Sequence, residues 1–294
     1  MTARWPDEAR AACLITVGFE AELAILATDP SALDRQKSLS VGRYAVHRGV
    51  QRLLGVLAGR GLRSSWFVPA QNAMTYDTLT AEVIAEGHEI ATNGVALEDF
   101  SALGLTEQHR LVGRARDLIE QRHGVRAAGF RPGRGDADPR LAARLSTDGY
   151  RWSSQLRGDD LPVTLPCGLV DLPHHHELDD AAYFAFNLDP PIPLGSPRIA
   201  PIGDVSANWS IEFEAHRDEG LLFVLDLHPE LIGTPGRAAM LADLLDLIVA
   251  AGDVWVATGD EIARWWLTRS PAGELPADHP VAVFERYVAD GGHR

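Results

Sequence analysis

The sequence predicts an α/β protein that folds as one barrel-type domain, and three observations lead to this prediction. Apolar segments typical of strands alternate with segments of helical period along the chain. The run from Leu221 to Leu227 is almost entirely apolar, as expected for a strand buried on both faces, and it ends at His228. A length of 294 residues suits a single α/β barrel. We therefore expect one domain over residues 1–294, with a C-terminal extension from about residue 268.

The predicted elements follow from apolar period and from turn residues. Strands are predicted at residues 11–17, 64–68, 88–93, 127–131, 150–153, 169–174, 221–227 and 254–258. Helices are predicted at 44–60, 75–86, 106–122, 139–149, 208–219, 236–250 and 260–267, most of them bounded by Gly or Pro. Residues 181–201 are rich in proline and are expected to form a loop over one face of the barrel. A doubly wound open sheet is the alternative, but no Gly-x-Gly-x-x-Gly follows the first strand, so a dinucleotide is not indicated.

Charge and composition limit the partners. The formal net charge is −14, whereas nucleic acids and anionic membranes bind basic surfaces, so neither is an expected partner. A small-molecule substrate fits better. The first residues carry charges where a secretion signal has an apolar core, and no run approaches about 18 apolar residues. We expect a cytoplasmic protein. Cys13 and Cys167 are expected to be core thiols.

Several residues, most of them polar, stand at the carboxyl ends of the predicted strands, where α/β folds bind ligands. They are Gly18 and Glu20, Asn93, Arg131, Asp179 and Asp180, and His228. A carboxylate, a guanidinium and an imidazole that converge in one place suit the hydrolysis of an amide, which needs a base for water, a cation and an acid for the leaving nitrogen.

The order of several short segments carries a resemblance to a known family. The segments are Ile15 to Glu20, Ser40 to Tyr44, Gly49 with Arg52 to Leu54, Trp66 to Pro69, Gly87 to Ile90, Gly129 to Arg131, Asp171 to Pro173, Leu178 to Asp180, His228 and Pro229 with Gly233, Val254 to Thr258 and Glu261 to Ala263. Together they resemble the polysaccharide deacetylase (NodB homology) family. The resemblance is closest to its cytoplasmic branch, with peptidoglycan-deacetylase-like, cyclic imidase and allantoinase-like members.

This resemblance implies a distorted (β/α) barrel of about seven strands that hydrolyses carbon–nitrogen bonds other than peptide bonds. Typical members bind a divalent metal with one aspartate and two histidines. Here Thr16 to Glu20 stand in place of the family's Thr-Phe-Asp-x-Asp motif. Gly18 therefore occupies the position of the catalytic base, and Glu20 occupies the position of the aspartate that binds the metal. The His-Gly-x-x-His motif is Asn93 to Leu97, so both imidazoles are missing. We therefore expect no metal cofactor and a metal-independent reaction.

The remaining residues are assigned provisional roles by the resemblance. Arg131 matches the arginine that orients the base and His228 matches the acid, and Glu20 is the candidate base. Asn93, Asp179, Asp180 and His176 are candidate substrate contacts.

Alternatives stay open at this stage. Glu20 could simply pair with Arg131 or Arg134. His174 and His176, which share one side of a strand, could form a relocated metal site with Glu20 and His228. The protein could also be an inactive homologue that binds a ligand, and members of this branch commonly form homo-oligomers.

Overall fold

The computed structural model describes residues 5–186, 198–270 and Arg286. The central part of the predicted Pro-rich loop and nearly all of the predicted C-terminal extension lie outside these residues. The strands are β1 (Ala11–Gly18), β2 (Ser65–Phe67), β3 (Glu89–Ala91), β4 (Gly129–Phe130), β5 (Trp152–Ser153), β6 (Val163–Thr164), β7 (Val170–Asp171), β8 (Leu222–Leu227) and β9 (Val254–Val256).

The strands form two sheets around the candidate site. In the first sheet the order is β3-β2-β1-β8, with β9 also paired to β1, and every pairing is parallel. In the second the order is β4-β5-β7-β6, and only the β6–β7 pair is antiparallel. An isolated parallel bridge between Thr92 and Phe130 connects the two sheets, and another between Asp179 and Asp226 joins the segment before residue 180 to β8. The α/β class predicted from the sequence is confirmed.

Helices follow most strands. They are α1 (Leu23–Leu26), α2 (Gln36–Tyr44), α3 (Val50–Ala58), α4 (Ala70–Thr75), α5 (Asp77–Ala85), α6 (Leu105–His123), α7 (Leu141–Thr147), α8 (Asp180–Phe184), α9 (Ile202–Glu219), α10 (Pro229–Ile232), α11 (Pro235–Ala251) and α12 (Gly259–Arg269). A π-helical turn, Ala45–Gly49, joins α2 to α3. Several predicted bounds differ from the structure: the helix predicted at 75–86 is α5 and follows α4, which was not predicted. The helix predicted at 208–219 begins at Ile202, and the strand predicted at 169–174 pairs over two residues.

Four tryptophans pack against one another. Trp5 is buried, and its ring centroid lies 6.4 Å from that of Trp255 and 5.7 Å from that of Trp266. Trp265 in turn contacts Trp255. This cluster packs α12, which carries Trp265 and Trp266, against Trp255 of β9.

Two glycines bring helical backbone directly onto the segments that carry the candidate site. A β-carbon at Gly42 would clash with the carbonyl of Ala21, and one at Gly49 would clash with the carbonyl of Pro229. Only a residue without a side chain permits these contacts. The continuous helical segment from α2 to α3 therefore holds the backbone next to Glu20 and His228, which explains why glycine is needed at these positions.

Among the described residues, no helix is both long and apolar enough to cross a membrane.

Candidate active site

Most of the residues predicted from strand ends do come together. They line a cavity of about 210 Å³ at the carboxyl ends of β1, β3, β4 and β8. From the predicted set, this cavity is lined by Gly18, Glu20, Asn93, Arg131, Asp179 and His228. Three further polar side chains that were not among these predicted residues also line it: Arg157, His174 and Asp226.

Glu20 is held in the wall of the cavity by two asparagine side chains. The Asn72 side-chain amide donates hydrogen bonds to the backbone carbonyls of Phe19 (2.9 Å) and Glu20 (2.7 Å). Asn93 Nδ2 lies 3.4 Å from Glu20 Oε1 and donates to it. Burial raises the pKa of the Glu20 carboxyl, although the His228 charge opposes this shift. A carboxyl with a raised pKa is a better proton acceptor than an ordinary exposed glutamate.

Arg131 binds a different carboxylate from the one expected. Its Nη1 lies 2.6 Å from Asp226 Oδ2, and its Nε and Nη2 donate to the carbonyl (3.1 Å) and hydroxyl (3.0 Å) of Ser154. The guanidinium also lies over the Phe67 ring, 4.3 Å from its centroid. Neither Arg131 nor Arg134 is hydrogen-bonded to Glu20, so the expectation that arginine directly orients Glu20 is corrected. Arg131 reaches Glu20 only through its charge, which lowers the glutamate's pKa.

Asp226 is the buried partner that sequence analysis overlooked. It lies in β8 and accepts a hydrogen bond from Thr16 Oγ1 on the neighbouring strand β1 at 2.7 Å. Burial would raise its pKa, but the Arg131 cation holds it below the usual range. The sequence does contain a sign of this role. Asp226 interrupts an apolar run two residues before His228, so both side chains face the same side of the strand.

His228 is held by a pair of hydrogen bonds that one carboxylate accepts. Its Nδ1 lies 2.7 Å from Asp180 Oδ1, and its backbone N–H donates to Asp180 Oδ2 at 3.0 Å. Burial alone would lower the pKa of His228, but the Asp180 and Asp179 carboxylates hold it well above the usual value. The two carboxylates thus favour the charged form of the imidazole, and Nε2 is the ring nitrogen that is not bonded to Asp180.

The aspartates predicted to contact substrate differ in their positions. Asp180 is fully buried and binds His228, so it supports the imidazole and does not line the cavity. Asp179 does line it, while its Oδ1 caps α8 by accepting from the Ala181 N–H at 2.8 Å. This corrects the assignment of Asp180 as a substrate contact.

The three consecutive histidines face three different surroundings. His174 lines the cavity, and its two ring nitrogens lie 3.3 Å from Ser154 Oγ and 3.2 Å from Arg157 Nη2. Burial lowers the pKa of His174 to about 2, so this ring is neutral. His175 pairs with Asp160 at 2.7 Å. His176 is exposed in a 3-10 turn and does not line the cavity, where His174 stands instead.

The donor set at the family's metal positions does not fit a divalent metal. Leu97 is buried and packs against Gly133, offering no donor atom. Asn93 directs an N–H group toward Glu20, while its own Oδ1 is buried without a hydrogen-bond partner among the described residues. A protein zinc site needs three or four nitrogen, sulfur or carboxylate ligands, and these positions supply one carboxylate.

Two other groups within the described ranges bring three donor atoms within 4.8 Å of one another. They are Asp179 with Asp180 and His228, and Asp160 with His175 and His216. Neither contains Glu20 or His174. The hydrogen bonds that Asp180 accepts from His228 and that Asp160 accepts from His175 already account for the proximity in each group.

Comparison with known proteins agrees with the resemblance seen in the sequence. The family model described as polysaccharide deacetylase matches residues 42–153. A solved structure from Mycobacterium smegmatis, assigned to the polysaccharide deacetylases, is 31% identical, with a TM-score of 0.87 over 92% of this chain and 96% of the other. The chain belongs to the polysaccharide deacetylase family.

Two more distant relatives give context. A peptidoglycan deacetylase-like protein of Gibberella zeae is 27% identical over 205 residues, which are 69% of this chain but only 59% of the fungal protein. The structure of the allantoinase PuuE is 20% identical and superimposes with a TM-score of 0.78 over 92% of this chain and 95% of the other. At that identity the likeness shows the shared fold alone.

Proposed function

We propose that the protein hydrolyses a carbon–nitrogen bond, other than a peptide bond, in a small amide or cyclic amide, and that it does so without a metal. One observation carries this proposal. The point where a β-carbon would stand at Gly18 lies 3.2 Å from His228 Nε2 and 3.6 Å from Glu20 Oε1. The candidate general base Glu20 and the candidate general acid His228 therefore border the same space, in the wall of a cavity of about 210 Å³. A cavity of this size suits a small molecule.

The arrangement supports a complete hydrolytic cycle. Glu20 accepts a proton from water while the water oxygen bonds to the amide carbon, and the tetrahedral intermediate then loses its nitrogen as the carbon–nitrogen bond breaks. His228 Nε2 donates a proton to the leaving nitrogen, and the proton held by Glu20 restores the imidazolium. Asp180 acts through His228 by keeping Nδ1 bonded and the ring charged. The Asp226 carboxylate neutralises Arg131 in the cavity wall.

The experiment is an assay of succinimide, allantoin, formamide and N-acetylglucosamine with and without a chelator. We expect turnover of at least one small amide, unchanged by the chelator. Glu20→Gln and His228→Gln should each lower kcat about 100-fold or more, since each removes one proton-transfer group. His109→Gln is the matched control, because His109 lies on α6 and pairs with Asp148 away from the cavity.

Loss of activity with the chelator and recovery with zinc would contradict the metal-free reaction. The absence of turnover on all four compounds at high enzyme concentration would instead favour a second candidate function.

The second candidate is a homologue that binds a ligand without hydrolysing it. The observation that favours it is the simultaneous replacement of donors at three family positions, by Gly18, Asn93 and Leu97. A binding protein would gain thermal stability in the presence of one of these compounds without consuming it. Thermal shift measured together with product analysis separates the two functions.

A further inference from the structure

A second, smaller cavity adjoins the candidate active site. Its volume is about 140 Å³, and it shares Glu20 and His228 with the first cavity. Most of the other lining residues are small or aliphatic, among them Ala21, Ile25 and Ala181. Glu230 in α10, two residues after His228, is the third residue of this wall with an ionisable side chain. The cavity thus continues the space in front of the proposed acid and base.

Glu230 has a carboxyl oxygen that the fold does not use. Its Oε2 is buried and has no hydrogen-bond partner among the residues that the structure describes. A buried polar atom without a partner costs stability, so such atoms are rare and often mark functional positions. Burial raises the pKa of Glu230 to about 8, with the neighbouring Glu20 carboxyl contributing in the same direction. At neutral pH this carboxyl is mostly uncharged.

We infer that the smaller cavity is a subsite for an uncharged end of the substrate, and that Glu230 Oε2 accepts a hydrogen bond from an N–H or O–H group at that end. The inference rests on the proposed function, because the other end of the same substrate must present its amide to Glu20 and His228. A water molecule occupies about 30 Å³ in the liquid, so about 140 Å³ holds a group of roughly three to five heavy atoms. The aliphatic wall would bind the carbon atoms of that group.

The substrate class that follows is a short aliphatic amide with a second, uncharged hydrogen-bond donor. A purely aliphatic end would leave Glu230 unpaired, and a charged carboxylate end would lose its hydration against the mainly aliphatic wall, close to the proposed base Glu20. Both should bind less well than a donor-bearing end.

The test compares three four-carbon amides that differ at one end: succinamide with a second carboxamide, butyramide with a methyl group, and succinamate with a carboxylate. Ammonia release gives kcat and KM, and calorimetry gives Kd. We expect succinamide to bind about tenfold more tightly than butyramide, the effect of one additional hydrogen bond to a buried acceptor. Glu230→Leu should remove this preference and act mainly on KM, whereas Glu230→Gln, which keeps an acceptor, should retain most of it. Glu219→Leu, on the exposed end of α9, is the matched control.

A second measurement does not depend on the ligand. Replacing an unpartnered buried carboxyl by an apolar side chain of similar size should raise the melting temperature of the free protein. A lower melting temperature of Glu230→Leu would mean that Glu230 supports the fold, which would overturn the subsite, and so would equal affinity of the wild type for succinamide and butyramide.

The outcomes also separate the subsite from the reaction. If the protein binds succinamide more tightly than butyramide but releases no ammonia, the proposed hydrolysis is wrong and the subsite is supported. Hydrolysis of all three compounds without discrimination would overturn the subsite and support the hydrolysis. Failure of all three to bind would overturn the subsite, while turnover of succinimide or allantoin would still support the hydrolysis.

Discussion

The imidazole of His228 lies directly against the α-carbon of Gly18. A β-carbon at position 18 would stand 3.1 Å from His228 Cδ2 and 3.2 Å from Nε2. Such distances are shorter than the usual separation of about 3.5 to 4.0 Å between nonbonded carbon atoms. The residue that replaces the family's catalytic aspartate therefore also makes room for the ring that we propose as the acid.

The contact predicts the effect of Gly18→Ala. The new methyl group should displace the His228 ring by a few tenths of an ångström, and we expect kcat/KM to fall about tenfold because proton transfer depends on position. The melting temperature should change by no more than about 2 °C, since the backbone is undisturbed. Gly55→Ala is the control: no atom lies within 4 Å of its β-carbon position, so activity should be unchanged. Full activity of Gly18→Ala would contradict the assigned position of the ring.

The pair of His228 and Asp180 predicts a change in titration. The Asp180 carboxylate raises the pKa of His228 above its value of about 6.5 in the unfolded chain. The pair therefore stabilises the fold fully below that pH, and the stabilisation is lost as the pH rises through the pKa of His228 in the folded protein. In Asp180→Asn the His228 pKa should fall toward its ordinary value, as measured by NMR, and this part of the pH dependence should disappear. Asp160→Asn, which alters the exposed pair with His175, should leave His228 unchanged. An unaltered His228 titration in Asp180→Asn would disprove the coupling.

The sequence was sufficient to place the site because buried strands could be recognised from their composition. Parallel strands end at one edge, so Glu20, Asn93, Arg131 and His228 were expected to be neighbours once β1, β3, β4 and β8 were recognised. Their positions around one cavity agree with this expectation.

Which side chains pair with each other could not be predicted in the same way. Arg131 reaches Asp226 and not Glu20 because the register of β1 with β8 places Thr16 beside Asp226. A shift of one residue would turn Asp226 away. Likewise, Asp179 and Asp180 are adjacent in sequence, but only the start of α8 determines that the second one faces His228.

The buried pair of Arg131 and Asp226 predicts a large loss of stability when one partner is removed. Arg131→Met leaves the Asp226 charge uncompensated, and we expect a loss of about 3 to 5 kcal/mol in the free energy of unfolding. The double variant Arg131→Met/Asp226→Asn should recover much of it. Because the pKa of Asp226 is lowered, the stabilisation is present above the unfolded pKa and is lost as pH falls through the folded value. Chemical denaturation at several pH values measures both effects.

The exposed pair of Arg140 and Asp138 provides the comparison. Arg140→Met should change stability little, because water screens exposed ion pairs. Equal losses for Arg131→Met and Arg140→Met would show that burial of the first pair has no energetic consequence.

The residues at the family's three metal positions predict that a zinc site can be restored by substitution. The variant Glu20→Asp/Asn93→His/Leu97→His offers one carboxylate and two imidazoles, the number of protein ligands that catalytic zinc sites use. We expect about one zinc ion per chain in this variant and far less in the wild type, when both are purified without a metal-affinity tag and measured by elemental analysis. Glu20→Asp alone is the control and should bind no more zinc than the wild type. Stoichiometric zinc in the wild type would show that other residues bind it.

The raised pKa of Glu230 predicts how stability depends on pH. The folded protein keeps a proton on Glu230 up to about pH 8, whereas the unfolded chain releases it near its ordinary pKa of 4.5. Between these values the folded state binds more protons than the unfolded state, so stability should decrease as pH rises. Glu230→Gln removes this contribution, and its melting temperature should exceed that of the wild type by a growing margin, reaching a few degrees near pH 9. Glu219→Gln, an exposed substitution, should give a curve parallel to the wild type. Parallel curves for Glu230→Gln would mean that the carboxyl titrates like an exposed one.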